Sequence, residues 1–209
     1  MNRQVILLHG LVRTPLSMAH LGGKLRSRGF QVLNYGYPSR KLTLEAQASR
    51  FNEFLSTRID RSAQLNFITH SLGGIITRQF ALTYGREYSL KRLVMLGPPN
   101  QGSEMARRVK RLGFTAAILG PAFEQVCDLK LDSATDRLEI GVIAGGSKNG
   151  RGYSPVLPGN NDGIVRVEET ALHGAKDSIV MAGLHSFLMY YPSVIEQAIH
   201  FLEHGSFQR

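Results

Sequence analysis

Residues 65–76, LNFITHSLGGII, bring a serine to the junction of two kinds of structure. The apolar run at 65–69 is typical of a buried strand, and the residues from Gly73 onward are typical of a helix. Ser71 lies between them, at a sharp turn that holds a serine in a strained conformation and projects its Oγ above the sheet. The stretch therefore predicts a nucleophilic serine. The alternative is that Ser71 only caps the following helix.

The residues two positions either side of such a serine must be small, because strand and helix nearly touch there. Gly73 meets this requirement. Thr69 stands where the G-x-S-x-G pattern has its first glycine, so a β-branched side chain must fit into a tight space. The match to the pattern is therefore partial.

Short β-rich apolar runs alternate with amphipathic stretches along the whole chain. Strands are predicted at residues 5–8, 31–35, 65–69, 92–96, 140–144 and 178–182. Helices are predicted at 16–28, 44–61, 73–84, 103–112 and 193–202, with Thr43 and Ser193 as N-caps. This alternation predicts an α/β fold of about six mostly parallel strands with helices on both faces. Because the chain has 209 residues and no repeat or long linker, residues 1–209 are expected to form a single domain.

Polar residues after the fifth and sixth strands complete a candidate catalytic set. In doubly wound sheets, ligands bind at the carboxyl ends of the strands. Asp162 is the first carboxylate after the strand at 140–144, and His185 comes soon after the strand at 178–182. A serine is a poor nucleophile unless a base takes its proton and a third group orients that base. We therefore predict that His185 is the base and that Asp162 orients it.

Other histidines and carboxylates fit these roles less well. His173 precedes the last strand, at the expected opposite end of the sheet, and His70 is expected to direct its side chain away from that of Ser71. His173 remains an alternative base, and Glu104, after the fourth strand, remains an alternative acid. The remaining carboxylates considered precede a strand or lie in an irregular segment: Asp177, Asp128, Asp132 and Asp136.

A tetrahedral intermediate on a serine also needs hydrogen-bond donors for its oxyanion. The backbone amide of Leu72 follows the serine directly. Gly10 allows a tight turn after the first strand that aims the amide of Leu11 at the same site. His9 is better interpreted as a structural residue than as a catalyst. For Arg13 two interpretations stay open, contact with an anionic part of a substrate and a surface ion pair.

The sequence resembles the α/β-hydrolase superfamily over nearly its whole length, and within it the small bacterial lipase-like serine hydrolases. The matching pieces are HGL at 9–11, THSLGG at 69–74, PPNQGS at 98–103, DGIV at 162–165, and His185. The resemblance implies a compact version of that fold without the first two strands of larger members. It also implies cleavage of carboxylic esters through an acyl-enzyme on Ser71, with no metal or organic cofactor.

Residues 113–126, GFTAAILGPAFEQV, are notably apolar for a loop region. They can line an acyl pocket, and an ordinary helix packed on the sheet explains them equally well. Too few residues separate the fourth and fifth strands for a large lid, so residues 113–138 are expected to form at most a short cap or pocket-lining segment. Residues 145–161 are expected to form a loop.

The formal net charge is +9, and it is concentrated in residues 1–111, which carry +13 against −4 in residues 112–209. A solvated basic surface explains this asymmetry, and peripheral contact with an anionic membrane surface is the functional alternative. A lipid-like acyl ester is then a reasonable substrate. We expect no nucleic-acid binding, because the sequence has no zinc-finger spacing and no RNP-like aromatic run.

The segment HFLEH at 200–204 has the H-x-x-E-H spacing of some zinc peptidases, but the sequence ends five residues later, before a further ligand. We therefore expect no zinc site. No Walker A or dinucleotide-binding motif appears, so we expect no nucleotide cofactor.

The single cysteine, Cys127, cannot form an internal disulfide, and no apolar run is long enough for a membrane span or a signal-peptide core. A cytoplasmic protein is expected. The function predicted is hydrolysis of an acyl ester by a serine esterase or lipase-like enzyme. The alternatives are acyl transfer or thioester cleavage by the same triad, and a non-catalytic binding protein on the same fold.

Overall fold

The computed structural model describes residues 3–60, 63–113, 116–134 and 136–209. The described residues form one sheet of six parallel strands. They are β1 (Gln4–Leu8), β2 (Gln31–Tyr35), β3 (Gln64–His70), β4 (Ser89–Leu96), β5 (Glu139–Gly146) and β6 (Asp177–Ala182). Every strand predicted from the sequence is present. The predicted parallel α/β arrangement is therefore confirmed.

Seven α-helices connect or flank these strands in the described part of the chain. They are α1 (Ala19–Ser27), α2 (Leu44–Ser56), α3 (Leu72–Tyr84), α4 (Glu104–Arg111), α5 (Ala116–Leu119), α6 (Pro121–Cys127) and α7 (Pro192–His204). Short 3₁₀ turns lie at Pro15–Met18, Gly85–Glu87, Glu168–Thr170 and His185–Tyr190. Among these residues, no helix combines the length and the apolar character that a membrane span requires.

Most helix bounds shift from the prediction by one to three residues, as at α1, which begins at Ala19 after a 3₁₀ turn, and the largest difference is at the end of α2. The helix predicted at 44–61 ends at Ser56, where the hydroxyl of Thr57 donates to the carbonyls of Glu53 and Phe54 and competes with continuation of the helix. Its predicted end, Arg61, lies outside the described residues. Thr43 is the N-cap of α2 as predicted, since its hydroxyl accepts from the amide of Ala46 at 3.3 Å.

The predicted N-cap of α7 is wrong. Ser193 lies inside the helix, which begins at Pro192 with Tyr191 at the capping position. Proline suits the first helical position because its φ is already helical and its missing N–H would have no partner there. The proline therefore sets the start of α7 one residue before the serine.

The sheet is covered on both faces, as predicted. On one face α2, α3 and α6 pack against the strands, with Phe51 in edge contact with both Phe67 and Phe80. On the other face α1 and α7 bury a second apolar cluster that includes Leu25 and Ile195. Because both faces are covered, the central strands are apolar on both sides, which explains their continuous apolar runs.

The strand order is β2-β1-β3-β4-β5-β6. After β1 the chain adds β2 at one edge of the sheet. From β3 onward it adds each strand toward the opposite edge. The loops that leave the carboxyl ends of β1 and β3 diverge at this point. Such a switch point opens the crevice in which doubly wound folds bind their ligands.

Candidate active site

Ser71 forms the sharp turn between β3 and α3 that the sequence predicted. Its backbone has φ 51° and ψ −122°, a conformation that residues with a side chain rarely adopt. The turn is held from the sheet, because the Ser71 amide donates to the carbonyl of Leu96 at 2.9 Å. Ser71 occupies the capping position of α3, yet its hydroxyl accepts no hydrogen bond from the helix. The helix-cap alternative therefore does not account for this serine.

The partial match to the glycine pattern has a structural compensation. Thr69 is fully buried, and its hydroxyl donates to the carbonyl of Val94 at 3.3 Å. A Cβ at Gly74 would lie 3.1 Å from this hydroxyl. The glycine at position 74 thus makes room for the threonine that replaces the usual first glycine.

Gly73 is required by the close approach of α3 to the end of β1. A Cβ built on Gly73 would lie 2.7 Å from the carbonyl oxygen of His9 and 2.8 Å from that of Leu8. Both atoms belong to the backbone and cannot rotate away. Replacing Gly73 therefore has to displace either the first strand or the helix that follows Ser71.

We expect Gly73→Ala to lower the free energy of unfolding by about 1–3 kcal/mol, because the added methyl overlaps backbone oxygens. The matched control is Gly23→Ala in α1, where a new Cβ meets no described atom within 4 Å apart from the backbone of its own helix. That change is expected to raise stability by about 0.5–1 kcal/mol through helix propensity. Urea unfolding at constant pH measures both. Equal stabilities for Gly73→Ala and the wild type would contradict the described contact between α3 and β1.

Asp162 and His185 meet at the carboxyl ends of β5 and β6. The Nδ1 of His185 lies 2.7 Å from the Oδ2 of Asp162, and both side chains are buried. The other carboxylate oxygen accepts from the amides of Ile164 at 3.0 Å and Val165 at 2.7 Å. One oxygen therefore fixes the loop while the other holds the imidazole. With its proton on Nδ1, neutral His185 has Nε2 free to accept another.

The backbone also joins these two residues, since the amide of His185 donates to the carbonyl of Asp162 at 2.9 Å. Gly97, directly after β4, lies beneath the pair. Its φ is +57°, and a Cβ there would come within 3.1 Å of both His185 Nδ1 and Asp162 Oδ2. This glycine was not predicted from the sequence, although a glycine directly after a buried strand is the signal that points to it.

His70 lies inside the site, which corrects the expectation that its side chain is directed away. Its ring packs against that of His185 with centroids 4.7 Å apart, and its Nε2 donates to the carbonyl oxygen of His185 at 2.9 Å. Complete burial, and then the neighbouring His185, hold the pKa of His70 well below its usual value. His70 is therefore a neutral residue that positions the backbone of His185.

His9 is also buried, and its ring stacks on Tyr37 with centroids 4.2 Å apart. Its Nδ1 donates to the carbonyl of Gly10 at 2.9 Å, and its Nε2 accepts from the amide of Tyr37 at 3.4 Å. Burial lowers the pKa of His9, although the hydrogen bond to Gly10 acts in the opposite direction. This is the structural role expected from the sequence.

The competing residues lie outside the crevice around Ser71. His173 is exposed and precedes β6. The carboxylate of Glu104 accepts hydrogen bonds from Arg107 at 3.1 Å and Arg108 at 3.0 Å on its own helix, and that of Asp177 binds Arg209. The remaining carboxylates do not line the cavity beside Ser71: Asp128, Asp132 and Asp136. None of these groups contacts His185 among the described residues.

The two histidines of the HFLEH segment lie on one face of α7, with ring centroids 4.4 Å apart. The Nδ1 of His200 donates to the carbonyl of Ser206 at 2.8 Å. Across the described ranges, no group of three or more His, Cys, Asp or Glu side chains is arranged to hold a metal ion.

The two residues predicted to donate to an oxyanion both line the cavity that Ser71 lines. Leu72 begins α3, and Leu11 follows β1. In the part of the chain that the structure describes, neither amide donates to a protein acceptor. The turn at Leu11 is held by Ser39, a buried residue that the sequence analysis missed, whose hydroxyl accepts from the amide of Val12 at 3.0 Å. Both amides are thus available to a bound group.

A cavity of about 440 Å³ opens beside Ser71 and His185. One wall is apolar and comes from α4, α5 and α6, through Met105, Ala106, Val109, Leu119, Phe123 and Val126. Residues 113–126 therefore contribute both to a packed helix and to the pocket lining, the two interpretations that the sequence left open. Phe114 and Thr115 of this segment lie outside the described residues.

Several solved structures share this fold at low sequence identity. Mature Bacillus licheniformis lipase BlEst2 matches with a TM-score of 0.70 and 17% identity, over 96% of this chain and 89% of that chain. The hydrolase olei00960 from Oleispira antarctica matches with a TM-score of 0.67 and 13% identity, over 98% and 92% of the two chains. The NocB thioesterase domain, solved in covalent complex with a fluorophosphonate nocardicin G analog, matches with a TM-score of 0.67 and 15% identity over 98% and 96%.

No protein-family model matches the sequence, and no curated protein matches it. At these sequence identities, the structural similarity shows that the chain shares the fold of these proteins. The chain has the α/β-hydrolase fold, as predicted from its motifs, and the similar structures include lipases, esterases and other hydrolases.

Proposed function

We propose that the protein is a serine hydrolase that cleaves carboxylic acyl esters. Ser71 is the nucleophile, His185 the general base and acid, and Asp162 the residue that orients the imidazole. The observation that carries the proposal is the buried 2.7 Å contact between His185 Nδ1 and Asp162 Oδ2, beside the cavity that Ser71 also lines. The strained turn at Ser71 supports it, because strain of this kind concentrates at catalytic residues.

The first half of the reaction transfers the acyl group to the protein. His185 Nε2 accepts the hydroxyl proton while Ser71 Oγ bonds to the acyl carbon, and the carbonyl electron pair moves onto oxygen. The amides of Leu11 and Leu72 donate to this oxyanion, and Asp162 stabilises the imidazolium. When the electron pair returns, the bond from the acyl carbon to the alcohol oxygen breaks. The alcohol leaves with the proton from Nε2.

The second half regenerates the serine. His185 Nε2 takes a proton from a water molecule, whose oxygen bonds to the acyl carbon. The oxyanion forms again between the same two amides and then collapses. The bond between Ser71 Oγ and the acyl carbon breaks, Oγ recovers its proton from His185, and the carboxylic acid is released.

The apolar wall built by α4 and α6 supports an acyl chain of medium length as the group next to the ester carbonyl. Binding an alkyl chain there removes apolar surface from water, and each additional buried methylene contributes about 0.8 kcal/mol. Activity on 4-nitrophenyl esters should therefore rise from acetate to octanoate in the wild type. Ala106 lies on this wall and is buried, so its size controls the space available.

We expect Ala106→Leu to lower the ratio of kcat/KM for the octanoate ester to that for the acetate ester by about 10-fold or more, because the larger side chain occupies the cavity. Ala106→Ser adds little volume and is the matched control, with a ratio close to that of the wild type. Initial rates with the two 4-nitrophenyl esters measure the effect. An unchanged ratio in Ala106→Leu would contradict the assignment of this wall to the acyl chain.

The same steps serve a thioester or transfer of the acyl group to an alcohol, since only the leaving group or the acceptor changes. The similar structures include a thioesterase domain, which supports the thioester as the alternative substrate to test. Comparing octanoyl esters with octanoyl thioesters, and water with added alcohols as acceptors, distinguishes these reactions. For a hydrolase, the released octanoic acid should account for the substrate consumed even when alcohol is present.

A further inference from the structure

Arg13 lines the same cavity as Ser71 and His185. The other described residues around this cavity are apolar, hydroxyl-bearing or histidine, so Arg13 supplies the only permanently charged side chain in the described lining. No aspartate or glutamate side chain lines it in the described part of the chain. The cavity thus combines an apolar wall with a single positive charge.

Arg13 also lacks a partner among the residues that the structure describes. Many arginines of this chain pair with a carboxylate, as Arg107 and Arg108 do with Glu104. Across the described ranges, the guanidinium of Arg13 forms neither an ion pair nor a hydrogen bond, although the residue is half-buried. The sequence left open a surface ion pair or a substrate contact, and the described residues form no ion pair with Arg13. Because partial burial of an unpaired cation costs free energy, an anionic ligand would be stabilised there.

The position of Arg13 is set by the turn that also presents the Leu11 amide. The Arg13 amide donates to the carbonyl of Gly10 at 3.3 Å, and Ser39 holds the intervening Val12, whose φ is 55°. After burial and His185, the positive charge of Arg13 is among the causes that lower the pKa of His70. The geometric link to the reacting groups is the cavity lining that Arg13 shares with Ser71 and His185.

We propose that Arg13 binds an anionic group, a carboxylate or a phosphate, on the alcohol portion of the acyl ester. The inference rests on the proposed function and adds a substrate class to it. The apolar wall of α4 and α6 suits the acyl chain, and a charged group would lose its hydration there without compensation. The anionic group therefore belongs to the alcohol portion, on the side of the β1 turn. A planar guanidinium pairs with carboxylate or phosphate through two parallel hydrogen bonds.

The first test uses two chromogenic esters that differ by one carboxylate, 2-nitrophenyl octanoate and 4-nitro-3-(octanoyloxy)benzoate, in both of which the nitro group is ortho to the ester oxygen. We expect Arg13→Gln to lower the ratio of kcat/KM for the anionic ester to that for the neutral ester by about 10- to 100-fold. Arg13→Lys keeps the positive charge but loses the two parallel N–H donors of the guanidinium. Its ratio should therefore fall between that of the wild type and that of Arg13→Gln. A second arm compares 1-octanoylglycerol 3-phosphate with 1-octanoylglycerol. The anionic-to-neutral ratio of kcat/KM in this arm, compared with the ratio in the first arm, shows whether phosphate or carboxylate is preferred.

The control variant is Arg28→Gln, which removes the same charge from an exposed site paired with Glu196, after α1 and before β2. Its ratio should stay within about twofold of the wild type, since charges separated by more than a Debye length of about 8–10 Å are largely screened. Equal reductions in Arg13→Gln and Arg28→Gln would overturn the proposal, because net charge alone would then explain them. An unchanged ratio in Arg13→Gln would overturn it as well.

A binding measurement separates failure of this inference from failure of the proposed function. The probe 1-O-octylglycerol 3-phosphate, an ether that cannot be hydrolysed as an ester and that keeps the phosphate on the alcohol portion, is titrated below its micelle concentration into the wild type and Arg13→Gln in a calorimeter. We expect at least 10-fold weaker binding to Arg13→Gln. If neither ester turns over in the wild type but this difference is found, esterase activity is disproved while the anion site stands. Equal affinities would disprove the anion site whether or not the esters are cleaved.

Discussion

Replacing Ser71 by Ala is expected to lower kcat for 4-nitrophenyl octanoate by about 10⁴- to 10⁶-fold. The oxygen that forms the acyl-enzyme is removed, and only orientation of substrate and water by the remaining groups persists. Steady-state rates corrected for spontaneous hydrolysis measure the loss. Thermal unfolding should stay close to that of the wild type, because the hydroxyl of Ser71 caps no helix amide.

Ser186 provides the matched control for this experiment, because it is another serine that lines the same cavity. Its replacement by Ala should reduce kcat at least 100-fold less than Ser71→Ala does. If Ser71→Ala retained a rate within about tenfold of the wild type while Ser186→Ala lost activity, the assignment of the nucleophile would be wrong.

Asp162→Asn is expected to reduce kcat/KM by about 10³- to 10⁴-fold. An amide oxygen at Oδ1 can still accept from the amides of Ile164 and Val165, so the loop keeps its shape. At Oδ2, however, the negative charge that stabilises the imidazolium is lost, and an NH₂ group there favours the tautomer that leaves Nε2 protonated. A protonated Nε2 cannot take the proton of Ser71. Initial rates and urea unfolding measured together separate lost chemistry from lost stability.

Glu104→Gln serves as the comparison, since Glu104 was the alternative acid. Its carboxylate pairs with arginines on its own helix, and the group does not line the cavity beside Ser71. Its replacement should change kcat/KM by less than about tenfold. A loss in Glu104→Gln as large as that in Asp162→Asn would contradict the described role of Asp162.

Most of the sheet could be predicted because its strands are covered on both faces. Val5, Ile6, Leu7 and Leu8 are each completely buried, so the run reads as continuously apolar. Boundaries set by single side chains were harder to predict. Ile59 is buried and extends the apolar periodicity of α2 beyond Ser56, so the hydroxyl of Thr57 that ends the helix was not recognised.

The candidate triad could be predicted from chain order, since Ser71, Asp162 and His185 each follow a predicted strand. The groups that hold the triad could not be predicted in the same way. His70 supports His185 across 115 residues of sequence, and Ser39 supports the turn at Leu11 from the loop after β2. Contacts of this kind arise from packing of distant segments, which periodicity and turn chemistry do not encode.

The most direct test of the proposed catalytic set is covalent labelling with a fluorophosphonate, followed by mass spectrometry of the labelled peptides. The reagent phosphonylates a serine only where a base activates the hydroxyl. The account predicts one adduct per chain, on Ser71, with labelling lost in Ser71→Ala and slowed at least 100-fold in His185→Ala. A folded wild type that takes up no label, or an adduct on another residue that persists in Ser71→Ala, would contradict it and favour a binding protein or a different nucleophile.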